Sequence, residues 1–238
     1  MNKIEDILDK IEQYCHPKSI FIFGSRARND YFKNSDWEIG VLFNKRFFVN
    51  EKKLKRIINP SNNIHVYPYE YKQFITGKIN IPFQKNIFLR EIVLAGKTLR
   101  REKIIEKIIP PPITVVNIMQ DLKFSLARDS DAIVSYSRRD KKTASILFYK
   151  SCLFGTRDLI LLLLKKFPIS YPEIYAFSKK LRLSKEYRET IYHAYRVRQR
   201  EVFLKKEYLF RNISYLTEFV EKKIVKYYKK WGDRILIH

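Results

Sequence analysis

Residues 21–30 read FIFGSRARND, and residues 35–40 read SDWEIG. The first segment predicts a buried strand over residues 19–23, because β-branched and aromatic side chains run without a break into Gly24. A Gly-Ser pair after a strand lets backbone N–H groups and a hydroxyl come close to a phosphate. We therefore expect a strand followed by an anion-binding turn.

Two acids follow this turn, since ten residues separate Ser25 from Asp36 and Glu38 lies two residues further on. Residues 37–43 predict a second strand, and side chains at i and i+2 of a strand share one face. Two carboxylates on one face, opposite a phosphate-binding turn, suit paired Mg²⁺ ions in nucleotidyl transfer. The alternative is a strand with two solvent-facing acids after a tight turn.

Outward from this stretch, the chain divides into two parts. The first alternates helix and strand, with helices predicted at 3–14 and 86–95 and a third strand at 64–69. Pro110-Pro111-Pro112 favours an extended spacer. Helices are predicted after it, at 113–137, 141–166, 171–180, 184–203 and 207–230. The expected fold class is α+β, with a small mixed-sheet domain over 1–108 and an all-α helical bundle over 109–238.

The charge of the chain is strongly positive, with 48 Lys and Arg against 25 Asp and Glu, a formal net charge of +23. Such a charge favours a polyanionic partner such as a nucleotide or RNA, although a solvated lysine-rich surface also explains it. Two cysteines cannot form a disulfide framework or a zinc site. The longest apolar run, residues 159–164, is too short to span a membrane, so we expect a cytoplasmic protein with no membrane partner.

The first part resembles the minimal nucleotidyltransferases of the DNA polymerase β-like superfamily. That family's motif reads Gly-Ser-Arg-Ala-Arg-Gly and then Ser-Asp-x-Asp, and this chain has GSRARND and SDWE. IHVYPYEYKQF is similar to the family's third strand, and FLREIVLAGKTLR to its closing helix. The resemblance implies Mg²⁺ or Mn²⁺ bound by Asp36 and Glu38. It also implies a nucleoside triphosphate, ATP above all, contacted by four residues: Gly24, Ser25, Arg26 and Arg28.

Three positions depart from the family pattern. Asn29 stands where Gly is usual, and Asn tolerates the left-handed conformation next best. Glu38 replaces the second Asp, and its extra methylene moves the carboxylate outward. His65 takes the place of the third acid; an imidazole binds a metal or accepts a proton, but it removes a negative charge. These three departures do not change the expected fold. They leave open a domain of the same fold that has no catalytic activity.

A second motif lies in the helical part. Arg188, His193 and Tyr195 form an Arg-x4-His-x-Tyr pattern that resembles HEPN domains, which are encoded beside minimal nucleotidyltransferases as toxin–antitoxin pairs. The resemblance implies RNA cleavage by Arg188 and His193 and adenylylation of Tyr195. On one helix, Arg188 and His193 lie about 140° apart and do not share a face. The resemblance implies a site built from two copies, in a homodimer through the helical domain. An ordinary helix with a packed tyrosine explains the pattern equally.

Three functions follow. The first is Mg²⁺-dependent adenylyl transfer to a protein or RNA hydroxyl, with Tyr195 of the chain's own helical domain as the specific acceptor, in a toxin–antitoxin-like fusion. The second is nucleotidyl transfer to a small hydroxyl compound, with the bundle as a substrate lid. The third is a degenerate module that binds nucleotide or RNA without catalysis, which the Glu38 and His65 departures favour.

Overall fold

A computed structural model describes residues 3–32, 35–59, 63–79 and 85–238. The chain divides into two compact units, Met1–Pro111 and Pro112–His238. The boundary predicted from the proline run, between residues 108 and 109, lies three residues before this division. None of the described helices combines the length and apolar character needed to cross a membrane.

The N-terminal unit is built on a four-stranded mixed sheet with strand order β3-β2-β1-β4. Strand β1 pairs antiparallel with both β2 and β4, whereas β2 pairs parallel with β3. The described elements of this unit are α1 Lys3–Cys15, β1 Ser19–Phe23, α2 Gly24–Ala27, β2 Trp37–Phe43, α3 Glu51–Ile58, β3 Ile64–Glu70, α4 Tyr71–Ile75, α5 Lys85–Ala95 and β4 Lys97–Arg101.

The two faces of this sheet have separate hydrophobic cores, because successive side chains of a strand point to opposite faces. One core joins Ile20 and Ile39 to apolar side chains of α1 and α3. The other joins Phe21 and Phe23 to apolar side chains of α4 and α5. Gly40 allows the second arrangement, because a Cβ at this position would overlap the Phe21 ring.

The C-terminal unit is helical apart from one short strand pair. Its elements are β5 Ile113–Thr114, α6 Val115–Ser137, α7 Lys141–Leu164, α8 Tyr171–Ser178, α9 Lys185–Arg198, α10 Lys206–Ser214, a π-helical segment Tyr215–Glu221, α11 Lys222–Trp231 and β6 Ile235–Ile237. Thr114 caps α6 through a reciprocal bond with Asn117, and Asp140 accepts from Thr143 N at the start of α7. Strands β5 and β6 join the two ends of the unit.

Buried polar side chains are frequent in the helical unit. Asn212 Nδ2 donates to Asp129 Oδ1 at 2.9 Å and lies 3.1 Å from Ser151 Oγ. Arg157 Nη2 donates to Asp121 Oδ2 at 2.9 Å. Burial raises the pKa of Asp129 to about 7, with the Asn212 hydrogen bond opposing the shift. The carboxyl of Asp129 is therefore easier to protonate than an exposed one.

The predicted α+β class is confirmed, and each predicted strand and helix of the two parts is present to within a few residues at most boundaries. One boundary is further off: the helix predicted over 184–203 ends at Arg198, where Gln199 caps it and Arg200 takes a positive φ of 61°. The sequence analysis missed α3, α4 and β4. It also missed the β5–β6 pair, which joins residues more than a hundred positions apart.

Candidate active site

The Gly-Ser turn lies directly after β1. Gly24 has a φ of +71°, a conformation that favours glycine, and the four-residue helix α2 begins there. Asn29 adopts a φ of +61°, so the left-handed conformation expected for it is confirmed. Arg28 N donates to Gly24 O at 3.2 Å and Asp30 N to Ser25 O at 3.1 Å, which closes the turn.

Glu38 lies against this turn. In the sheet it is paired with Phe23 of β1 on one side and with His65 of β3 on the other. A Cβ at Gly24 would overlap the Glu38 carboxylate oxygen Oε2, so only glycine leaves room for the carboxylate there. Because Gly24 has no side chain, the Glu38 carboxylate has room to lie at the end of β1.

Asp36 and His65 complete the acidic side of the site. Asp36 precedes β2 by one residue, and its Oδ2 lies 3.8 Å from His65 Nε2. Both side chains are accessible, at 59% and 43% exposure. Burial, followed by the charges of Glu38, Glu51 and Asp36, raises the pKa of the neighbouring Tyr67 to about 12. The carboxylates of Asp36 and Glu38 therefore lie together at this end of the sheet, close to Tyr67.

Arg26 holds the segment that leads into Asp36. Its Nε and Nη2 both donate to Ser35 O, at 3.0 and 2.7 Å. Its guanidinium carbon lies 4.3 Å from the centre of the Trp37 ring and 4.8 Å from that of the Tyr31 ring. The nucleotide contact predicted for Arg26 stays a prediction; in the structure its side chain contacts Ser35 and Trp37, on both sides of Asp36.

Arg28, also predicted to contact nucleotide, has a side chain that is only 6% exposed. Its Nη1 pairs with Glu91 of α5, and its Nε lies 3.3 Å from Asp30 Oδ1. The Arg28 side chain thus links the turn to α5. Of the four predicted nucleotide contacts, the turn residues Gly24 and Ser25 are those whose surroundings suit a direct phosphate contact.

Asp36 and Glu38 are the carboxylates that would hold a divalent metal ion at this turn. Among the described residues, no three His, Cys, Asp or Glu side chains form a group suited to a metal ion. Mg²⁺ in nucleotide sites is usually held by one or two carboxylates together with substrate phosphates. Asp36 and Glu38 lie beside the turn at Gly24. They supply two carboxylates, which is within the number of ligands that such a site takes from the protein.

The helical candidates differ in their exposure and in their neighbours. Arg188 is exposed, whereas His193 is buried, with its ring 3.7 Å from the Tyr208 ring centre and stacked on it. Burial, followed by the positive charge of Lys205, lowers the pKa of His193 to about 4. Tyr195 stacks on Tyr175 with ring centres 4.4 Å apart. The roles predicted for these three residues stay predictions.

The sequence analysis singled out neither Trp37 nor Glu91, the residues that hold Arg26 and Arg28. For Trp37 a signal existed, because it stands between the two acids in SDWE. Glu91 lies 63 residues from Arg28 and had no local signal.

Comparisons with known proteins agree with this geometry. Residues 1–95 match the family model of the nucleotidyltransferase domain, so the N-terminal unit carries a domain of this kind. Among solved structures, the chain is similar to spectinomycin adenyltransferase AAD(9) from Enterococcus faecialis, crystallised with ATP and spectinomycin. That match has 16% identity and a TM-score of 0.59 over 92% of this chain and 97% of the other. No curated protein matches the chain significantly.

Proposed function

We propose that this chain transfers a nucleoside monophosphate from a nucleoside triphosphate to a hydroxyl group of a small compound. The acceptor oxygen forms a bond to the α-phosphorus, the bond from that phosphorus to the bridging oxygen breaks, and pyrophosphate leaves. The observation that carries the proposal is the placement of Glu38 against the Gly24 turn with Asp36 and His65 beside it. A match of residues 1–95 to the nucleotidyltransferase domain supports it.

Each side chain of the site has a separate task in this proposal. Gly24 and Ser25 receive the triphosphate, through backbone N–H groups and the Ser25 hydroxyl. Asp36 and Glu38 hold Mg²⁺ or Mn²⁺, which when bound neutralises charge on the phosphates. His65 Nε2 lies 3.8 Å from Asp36 Oδ2 and would accept the proton that the acceptor hydroxyl loses as its oxygen bonds to the α-phosphorus. Arg26 positions Asp36 through Ser35.

ATP is the proposed donor and a small hydroxyl compound the proposed acceptor. The similar solved structure is a spectinomycin adenyltransferase with ATP and spectinomycin, and its likeness extends over 92% of this chain. His193 is buried and stacked on Tyr208, which gives less support to the RNA-cleaving alternative, because an imidazole that moves the 2′-OH proton must reach the RNA. The helical unit is basic rather than acidic, which gives less support to a polycationic acceptor.

Mass spectrometry of a single reaction separates these functions. The purified chain is incubated with Mg²⁺, ATP and a panel of spectinomycin, neutral sugars and sugar phosphates, beside Asp36→Asn as the matched control. The expected result is a small product that is heavier by one adenylyl group and absent with Asp36→Asn.

A mass gain on the chain itself, mapped to Tyr195, would instead support the toxin–antitoxin-like reading. Absence of any adenylylated product with all four nucleoside triphosphates and added RNA would support the non-catalytic module.

A further inference from the structure

Tyr67 lies on the same face of the sheet as side chains of the candidate site. It follows His65 by two residues in β3, and side chains at i and i+2 of a strand share one face. The register pairs His65 with Glu38 and Tyr67 with Gly40 of β2. The ring centres of His65 and Tyr67 are 6.5 Å apart. Tyr67 is therefore the next side chain beyond His65 on the face that carries Glu38.

The Tyr67 ring extends towards the end of β1, where the Gly24 turn begins. Strand β2 lies between β1 and β3, so the backbones of those two strands are about 9.5 Å apart. The ring centres of Tyr67 and Phe23 are only 5.5 Å apart, and Phe23 is the residue before Gly24. The two rings therefore approach each other over β2, where Glu38 is paired with Phe23. This placement brings the phenol close to the Glu38 carboxylate and to the turn.

The hydroxyl of Tyr67 is available to a ligand. In the part of the chain that the structure describes, no group forms a hydrogen bond with it, and it is not one of the unpartnered polar atoms that the core encloses. Solvent therefore reaches it. An ordinary phenol is already protonated near neutral pH, and burial, followed by the charges of Glu38, Glu51 and Asp36, raises the pKa of Tyr67 to about 12. The hydroxyl is thus a hydrogen-bond donor, which leaves the role of base to His65.

Packing alone does not account for this hydroxyl. The core that Tyr67 borders includes four phenylalanines: Phe21, Phe23, Phe74 and Phe88. A phenylalanine at position 67 would offer the same ring to this core without placing a polar atom next to acids. A donor beside carboxylates and a phosphate-binding turn is matched to an anionic oxygen, because hydrogen bonds to charged acceptors are the strong ones.

We propose that the Tyr67 hydroxyl donates a hydrogen bond to a nonbridging oxygen of the α-phosphate during nucleotidyl transfer, as a further catalytic residue. This role rests on the proposed transferase function. The nonbridging oxygens share the negative charge of the transition state, in which the acceptor oxygen bonds to phosphorus and pyrophosphate leaves. The phenol keeps its own proton, and the proton of the acceptor hydroxyl goes to His65 Nε2. A donor aimed at this charge raises kcat rather than the affinity for ATP.

The test compares Tyr67→Phe with Tyr69→Phe in steady-state adenylyl transfer from ATP to spectinomycin, neutral sugars and sugar phosphates. Tyr69 is the matched control, because it lies on the same face of β3 but two residues further from His65, where its ring packs on Phe21 and Phe74. Each substitution removes one hydroxyl and keeps the ring. Urea unfolding reports whether either change alters the stability of the chain.

Tyr67→Phe should lower kcat at least tenfold and change the KM for ATP less than threefold, since loss of one donor to transition-state charge lowers kcat by about 100- to 1,000-fold in well-aligned sites. Tyr69→Phe should change both constants less than threefold. The hydrogen bond itself is tested with the two diastereomers of ATP that carry sulfur at a nonbridging position of the α-phosphate, because sulfur is a weak acceptor. For one diastereomer, the ratio of the ATP rate to the thio rate should be at least fivefold smaller in Tyr67→Phe than in the unaltered chain.

Three results would overturn this role while leaving the transferase function intact. In the first, Tyr67→Phe transfers as fast as the unaltered chain. In the second, Tyr67→Phe and Tyr69→Phe lose the same kcat, which would indicate an effect on packing. In the third, both thio ratios are the same in Tyr67→Phe and in the unaltered chain, so the hydroxyl does not contact the α-phosphate. Absence of transfer by the unaltered chain to any acceptor would instead refute the proposed function, and this role with it.

Discussion

Replacing Gly24 by Ala tests the contact on which the site depends. The added Cβ would overlap Glu38 Oε2, so the carboxylate must leave the turn. The positive φ of 71° adds a backbone cost of about 1–2 kcal/mol for a residue with a Cβ. A contact to a charged group contributes about 1.5–3 kcal/mol, so its loss predicts a roughly 10- to 100-fold fall in kcat/KM for the nucleoside triphosphate.

Gly77→Ala is the matched control for this substitution. Gly77 has a φ of +68°, but a Cβ there would meet only Leu89 Cδ2 at 3.9 Å, an ordinary contact. Both variants should lose about 1–2 kcal/mol in the free energy of unfolding, measured with urea. Only Gly24→Ala should lose adenylyl transfer and affinity for Mg²⁺-ATP. Equal transfer rates in the two variants would refute the role given to the Gly24–Glu38 contact.

Three further substitutions test other contacts. Arg26→Lys keeps the positive charge but loses the paired hydrogen bonds to Ser35 O. We expect at least a tenfold lower kcat in steady-state kinetics. Full activity would mean that only the charge of Arg26 matters. For Asp129, whose pKa is raised to about 7, the folded chain holds the proton more tightly than the unfolded chain. Its contribution to stability is therefore complete below about pH 4 and is lost as the pH rises to about 7, a change on the order of 4 kcal/mol. Asp129→Asn should flatten this dependence in urea unfolding at pH 5 and 8, and an unchanged slope would contradict the assignment. Gly155→Ala should lower the free energy of unfolding by about 1–3 kcal/mol in thermal unfolding, because its Cβ would overlap Leu216 Cδ2. Adding Leu216→Ala to this variant should recover part of the loss. Additive losses in the double variant would exclude this contact as the cause.

The parts of the fold that the sequence predicts are those with a local signal. Strands β1 and β2 are short apolar runs, and Gly24 follows the first of them at the point where a turn is needed. By contrast, α3 reads EKKLKRII and buries only Leu54 and Ile58, too few apolar positions for a clear period. Strand β4 reads KTLRR and is a strand because it pairs with β1, a contact between distant residues.

The candidate site shows the same limit. Asp36, Glu38 and His65 were predicted from motif spacing and from the family resemblance, and the sheet pairs Glu38 of β2 with His65 of β3. Nucleotide contacts of Arg26 and Arg28 were expected from the resemblance to the family motif. In the structure these side chains contact Ser35 and Glu91, and those contacts depend on how the loop and α5 fold back. A short motif identifies residue types, whereas partners for long side chains are set by tertiary packing.

The central claim is that Asp36 and Glu38 form a metal and nucleotide site, and calorimetric titration with a non-hydrolysable ATP analogue tests it most directly. With Mg²⁺, the double variant Asp36→Asn/Glu38→Gln should bind at least tenfold more weakly than the unaltered chain. With EDTA the order should reverse, because two carboxylates without a metal repel the phosphates. Equal affinities of the two proteins under both conditions, or no binding to the unaltered chain with Mg²⁺, would contradict the claim.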